Sequence, residues 1–247
     1  YNLRYSYHNG TEWVQEDVMD YGSTWSSTYS GTGRNSHIKL NGTGVPHVVF
    51  YDDATDDVYL SIRSNGSWSS TSVDDFGGYY TTAERSISLA IDSLDGLHVA
   101  YYDMSSRLLE YAHREAGGSS WAKAVVHDQG NHYIATSVSI AVDRSDMPHI
   151  AYHDRSQKDL EYARFDGTSW IVETLDAQND VGRFPNIAID EYGHIHIAYE
   201  NDTQDSIKSM VIGNGMASTE KVSQVGTHGY GLGYAVSGSG AMHLSFY

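Results

Sequence analysis

Five copies of one short stretch constrain this chain more than any other feature of it. The run Met147-Pro148-His149-Ile150-Ala151-Tyr152-His153-Asp154 recurs at residues 45–52, 96–103 and 194–201 and, cut short, at 241–247. The aligned histidines His47, His98, His149, His196 and His243 stand 51, 51, 47 and 47 residues apart. A fixed period of this length marks one supersecondary unit used repeatedly, because such a unit cannot bury its apolar face alone and must stack on its neighbours.

Each copy reads as four strands. Around His98, residues 86–92 alternate in polarity, Ser93-Leu94-Asp95-Gly96 is a turn, and 98–103, 108–114 and 121–127 follow as strands, with Gly117-Gly118 joining the last two. The composition agrees: 20 Tyr, 24 Gly and only 3 Pro suit many short strands and tight turns. The chain starts out of phase. Residues 1–7 match the third strand at 107–113, and 13–20 match a fourth, whereas 231–236 and 242–247 match a first and a second. The two ends are therefore expected to complete one composite sheet, which removes the exposed edges of an open array.

A four-stranded antiparallel unit repeated in this way resembles a β-propeller blade. The (Pro/Leu)-His-(Ile/Val)-Ala-Tyr-x-Asp stretch, with Trp13, Trp68, Trp121 and Trp170 in the outer strands and Met216 in the last copy, resembles the five-bladed propellers over the whole chain. The expectation is an all-β single domain, 1–247, with blades at 1–20 plus 228–247, 34–75, 84–128, 135–176 and 183–225. The resemblance implies a carbohydrate-binding, lectin-like protein or a glycosidase or other hydrolase, and fold alone does not choose between them.

Positions shared by every copy are expected to serve packing. These are the five histidines, read as bridges between blades, the aromatic series Phe50, Tyr101, Tyr152, Tyr199 and Phe246, and the tryptophans. Asp52 and Asp103 are expected to pair with Arg34 and Arg85 at one rim, while Asp154 lacks such an Arg and Arg183 faces Asn201. Departures from the repeat are where function is sought. Four residues after each His stand Tyr51, Tyr102, His153, Glu200 and Tyr247. His153 and Glu200, with Asp154 and Arg183, form a candidate acid–base set. The loops between blades supply candidate ligand-binding aromatics and histidines: Trp25, Tyr29, Tyr79, Tyr80, His132, Tyr133, His228 and Tyr230. His37 and Lys39 replace the small inner-strand residues of the other copies and share one face by alternation. Asp52, Asp53, Asp56 and Asp57 crowd one loop that offers a weak Ca²⁺ site without EF-hand spacing. No cofactor is otherwise implied.

A formal net charge of −17 excludes a nucleic-acid or anionic-membrane surface of the usual basic kind. There is no cysteine, no His-Glu-x-x-His and no phosphate loop. No run is long and apolar enough for a membrane helix. The chain opens on Tyr1, which is read as a processed form with an extracellular or cell-surface location. The functional expectation is a secreted or surface propeller binding a glycan at its aromatic and polar rim. The alternatives are a hydrolase or lyase acting on a sugar or small polar substrate at the same rim, and a protein-interaction domain.

Overall fold

The computed structural model describes residues 3–19, 32–52, 57–76, 86–103, 105–128, 137–213, 215–224 and 232–246. Among these residues the structure is all-β apart from one helical turn, Asp202–Gln204. Strands β1 (Leu3–His8) and β2 (Trp13–Met19) form a hairpin. Four four-stranded antiparallel sheets follow: β3 (Thr32–Leu40) to β6 (Ser67–Asp74), β7 (Ile87–Ile91) to β10 (Ala122–His127), β11 (Val138–Val142) to β14 (Trp170–Asp176), and β15 (Val181–Ile189) to β18 (Met216–Gln224). Within them β4 is Pro46–Asp52, β5 Val58–Ser64, β8 Leu97–Asp103, β9 Leu108–Arg114, β12 Pro148–Asp154, β13 Asp159–Phe165, β16 Ile195–Asn201 and β17 Ser206–Gly213. A last hairpin pairs β19 (Gly233–Val236) with β20 (Met242–Ser245). In every sheet the strands neighbour one another in chain order.

The repeated stretch forms the second strand of each sheet, and there the period-2 pattern gives way to continuous burial. β4, β8 and β12 are buried at all seven positions. A strand covered by sheets on both faces needs apolar groups on both. Accordingly, the cores lie between sheets: Val49 and Leu60 pack with Leu89 and Val99, Leu109 and Val126 with Ile140 and Ile150, and Leu160 with Ile187 and Ile197. Each such side chain contributes on the order of 2 kcal/mol. Phe50, Tyr101, Tyr152 and Tyr199 are fully enclosed, whereas Phe246 is 41% exposed.

The turn before the repeated stretch explains the residues around it. Gly44, Asp95, Asp146, Gly193 and Gly240, each three residues before an aligned His, all have positive φ. Only Gly, or Asp and Asn with local hydrogen bonds, adopts that conformation readily. The acid or amide three residues earlier holds the turn in four of the copies, and Ser237 in the fifth: Asp92 Oδ1 accepts from Leu94 N and Gly96 N, Asp143 Oδ1 from Ser145 N and Met147 N, and Ser237 Oγ from Ala241 N. The left-handed acids also reach the preceding sheet, Asp95 to Gly42 N at 2.9 Å and Asp146 to Ser93 N at 2.9 Å.

The first strands β3, β7, β11, β15 and β19 contact one another in succession. Their free edges would leave N–H groups unpaired. Side chains from the preceding sheet accept from them instead: His37 Nδ1 from Leu89 N at 2.8 Å, Ser88 Oγ from Ile140 N at 3.2 Å and Ser139 Oγ from Ile187 N at 3.1 Å. Ser86 and Ser137 do the same for Val138 N and Phe184 N.

Sheets set side by side about their first strands are consistent with a β-propeller. Among the described residues, β1–β2 and β19–β20 stand as separate two-stranded sheets. Each hairpin is held by the neighbouring full sheet. Arg63 of β5 grips Glu16 of β2 with two bonds, 2.7 and 2.6 Å, and Trp68 Nε1 donates to the same carboxylate at 3.1 Å. Asn186 Nδ2 donates to Leu232 O at 3.0 Å beside β19. Trp13 and Phe246, on the two hairpins, are exposed. Trp68 and Trp170 do pack edge-on across sheets, against Tyr5 at 5.2 Å and Tyr111 at 5.1 Å.

Candidate functional site

The enclosed tyrosines of the second strands lock each sheet to its predecessor. Tyr101, Tyr152 and Tyr199 reach the last residue of the preceding sheet's fourth strand, respectively Asp74, His127 and Asp176. Beside them on the third strands stand Glu110, Glu161 and Lys208. Two of these three junctions are satisfied internally. Lys208 pairs with Asp176 at 2.7 Å, and Glu161, 4% exposed, accepts from Thr174 Oγ1 at 2.7 Å.

The junction between the β3–β6 and β7–β10 sheets is different. It opens as a cleft of about 380 Å³ lined by Asp74, Phe76, Asp103, Glu110 and Lys123, with Asp75, Ser105, Ala124 and Val125. Tyr101 Oη lies 2.6 Å from Asp74 Oδ2 and 3.1 Å from Glu110 Oε2. One phenolic hydrogen serves only one of them at a time. Burial pushes Glu110 up to about 7; the Tyr101 hydrogen bond pulls it down, and the Asp103 and Asp74 carboxylates add to the rise. Lys123 Nζ pairs with Asp74 Oδ1. Asp103 is turned to the backbone and hydroxyls of its own loop, Ser105 N and Oγ at 2.7 Å and Ser106 Oγ at 2.5 Å. The cleft therefore offers carboxylate acceptors, an ammonium donor and the ring of Phe76, which itself packs on Tyr101 at 6.0 Å. Such a mix of one aromatic wall and convergent polar groups is the usual make-up of a small-ligand site.

The acid–base set expected from the sequence falls in the interior. His153, Asp154 and Glu200 are 4%, 0% and 8% exposed. His153 Nε2 is 3.7 Å from Asp180 Oδ1. Burial lowers its pKa to about 4; the Asp180 charge opposes this and the Arg183 charge reinforces it. Arg183 lies opposite Glu200 in the ladder, not opposite Asn201, because the register shifts between Val181 and Arg183. Its guanidinium pairs with Asp202 at 2.9 Å. Asp154 Oδ1 caps Ser156 N and Gln157 N. Tyr51 is likewise internal, donating to Tyr102 O at 2.8 Å, and Tyr102 is buried.

His37 lines a second cavity, about 280 Å³, formed by the first strands with Ser86, Ser88, Ser137, Ser139 and Asn186. Burial, then the Lys39 charge, lowers His37 to about 4. Lys39 itself is exposed. Asp52 and Asp57 are buried, and Asp57 Oδ1 accepts from Phe76 N at 3.2 Å. Asp53 and Asp56 lie outside the described residues, as do Trp25, Tyr29, Tyr79, Tyr80, Arg85, His132, Tyr133, His228 and Tyr230. The side chain of Arg34 does too, although its backbone faces Tyr51 rather than Asp52 across a bulge.

The aligned histidines bond mainly within their own sheets, not across sheets. His98 Nδ1 meets Tyr111 Oη at 2.6 Å and its Nε2 meets Asp92 at 3.1 Å; His196 Nε2 meets Asp190 at 3.0 Å. Sequence reasoning missed Asp74 and Glu110. The available signal was a polar residue closing three fourth strands, Asp74, His127 and Asp176, beside an acid or Lys on the next third strand.

No family profile and no curated protein sequence matches this chain. Solved structures do. The SapL1 lectin in complex with alpha methyl fucoside superposes with a TM-score of 0.64 at 13% identity, covering 90% of this chain and 73% of that one. The Hadza microbial sialidase Hz136 gives 0.55 at 11% identity over 81% of this chain, which spans 48% of the sialidase. An alpha-L-arabinofuranosidase from Lactobacillus brevis gives 0.51 at 9% identity, covering 87% of this chain and 82% of the enzyme. At these identities the likeness is one of fold.

Proposed function

We propose that the protein is a five-bladed, carbohydrate-binding propeller acting outside the cell or at its surface. In this reading β19–β20 and β1–β2 are the inner and outer halves of one blade. The observation that carries the sugar reading is the cleft between the β3–β6 and β7–β10 sheets. Asp74 and Glu110 accept from vicinal hydroxyls, Lys123 donates to a ring or hydroxyl oxygen, and Phe76 meets the apolar face of the sugar. The folds named for a lectin and for two enzymes of sugar chemistry support this class of ligand.

A glycan array followed by calorimetric titration tests it. Asp74→Asn or Glu110→Gln is expected to weaken binding roughly 10–100-fold, the cost of one hydrogen bond to a charged group. Unchanged affinity in both variants would refute the site. One observation favours a hydrolase as the second reading: Glu110, raised by burial to about 7, and Asp74 meet at Tyr101 Oη, and glycoside cleavage uses a pair of carboxyl groups. Under that reading nitrophenyl glycosides are turned over, and Glu110→Gln loses turnover while retaining binding. Absence of turnover on any saccharide that binds leaves the lectin.

A further inference from the structure

We infer that the β7–β10 and β15–β18 sheets each carry a site for a borderline divalent metal ion such as Zn²⁺, built on two imidazoles and one carboxylate. In the first, one ligand-capable atom from each of Asp92, His98 and His113 lies within 4.8 Å of the other two; in the second, Asp190, His194 and His196 meet the same condition. Both sit at the turn between first and second strands, and neither depends on the sugar reading.

The repeat makes the case. An acid or amide six residues before the aligned His is common to four copies: Asn41, Asp92, Asp143 and Asp190. That pairing alone is structural. Two sheets add a second imidazole beside it, and they do so from different positions. His113 stands directly opposite His98 in the β8–β9 ladder, where the other sheets place Ile62, Arg164 and Val211. His194 comes from the turn, two residues before His196, where the others have Val45, Gly96 and Met147. Residues i and i+2 of an extended chain share a face, so His194 and His196 point the same way. Two independent routes to one donor set are not required by packing, since the β11–β14 sheet folds without either.

The geometry suits a metal. Asp92 Oδ2 is 3.1 Å from His98 Nε2, and Asp190 Oδ2 is 3.0 Å from both His194 Nδ1 and His196 Nε2. Ligands at ~2.0–2.1 Å from a tetrahedral ion stand ~3.3 Å apart, so the Asp–His pairs are already near that spacing and the remaining ligand pairs close from within 4.8 Å. In each acid Oδ1 is occupied by backbone amides of the turn, which leaves Oδ2 aimed at the imidazoles. His98 and His196 are buried while His113 and His194 are partly exposed, which gives each site a closed floor and an entry. Three protein ligands leave one position for water. The N₂O donor set suits Zn²⁺, Co²⁺ or Ni²⁺ rather than Ca²⁺ or Mg²⁺.

The two sites differ in their outer support. His98 Nδ1 is oriented by Tyr111 Oη, whereas Ser209 holds the corresponding position and His196 Nδ1 has no hydrogen-bond partner among the described residues. Outer partners of this kind are worth ~10–100-fold in affinity, so the Asp92 site is the tighter.

The test is titration of chelator-stripped protein with Zn²⁺ by calorimetry, and with Co²⁺ by visible absorption. Wild type is expected to take up two ions, the first 10–100-fold more tightly. His113→Arg and His194→Met install residues that the β11–β14 sheet already carries at those positions, so the fold is kept, as an unchanged melting curve of the stripped protein checks. Each variant is expected to lose one ion, and the double variant both. No uptake by wild type, or uptake that the double variant retains, would overturn the proposal.

Discussion

At the scale of the residue, the protein shows how one side-chain type takes different roles by surroundings. Glu110 and Glu161 are repeat equivalents, both raised in pKa by burial, yet Glu161 is enclosed with Thr174 and Glu110 faces an open cleft beside Asp74. The consequence is measurable. Glu110 keeps its proton in the folded state up to about 7, whereas the unfolded chain releases it near the ordinary 4.5. The folded state thus binds more protons between those values, and this group's contribution to stability falls as pH rises through them. His37 and His153 act oppositely: lowered to about 4, they stay neutral while the unfolded chain protonates, so stability falls as pH drops from 6.5 to 4. Denaturant melts from pH 4.5 to 7.5 are expected to show Glu110→Gln gaining on wild type as pH rises, by on the order of 2 kcal/mol after allowance for solvent screening. A pH-independent difference would show that Glu110 titrates normally.

At the scale of the element, the sequence was most legible where alternation was regular. Residues 108–114 are a strand as read, and the strands read at 86–92 and 98–103 are observed as Ile87–Ile91 and Leu97–Asp103. Burial of Phe50, Tyr101, Tyr152 and Tyr199 followed from their place in a strand covered on both faces, and Phe246 departs from it. The roles of Ser88, Ser139 and Asn186 were not legible, because a small polar residue in an inner strand carries no sign of which neighbour's N–H it serves. Their work is now specific. Ser139→Ala leaves Ile187 N without its acceptor at a sheet junction, at a cost of about 1–3 kcal/mol. Ser145→Ala, on an exposed turn, is the control, and both are measured by chemical denaturation. Equal effects would contradict the junction role. Register at the rim was not legible either. Bulges in β3 and β15 shift the register, so spacing alone did not say which residues faced each other.

At the scale of the whole molecule, the repeat period made the array of sheets legible but not its closure. The two terminal hairpins flank opposite ends of the row of four sheets, β2 beside β6 and β19 beside β15. Those are the outer and inner strand positions that one further blade would fill. By the register of β8 with β9, Ser6 and Leu244 would then face each other, as Ala112 and Val99 do. The chain has no cysteine, so Ser6→Cys with Leu244→Cys reports cleanly. Closure predicts an intramolecular disulfide on mild oxidation and a raised melting temperature, since a crosslink over a loop this long is worth up to about 5.5 kcal/mol by chain entropy. Thiols that remain free, or that link only between molecules, would contradict a closed ring.

The candidate cleft was illegible for a different reason. Asp74, Tyr101, Glu110 and Lys123 come from four strands of two sheets, and nothing local marks them as a set. The most direct measurement is a crystal structure of the protein with a saccharide selected on the glycan array. The account predicts the sugar between the β3–β6 and β7–β10 sheets, hydrogen-bonded to Asp74 and Glu110 with one face on Phe76. A sugar bound at the first-strand cavity around His37, or elsewhere with that cleft filled only by water, would contradict it.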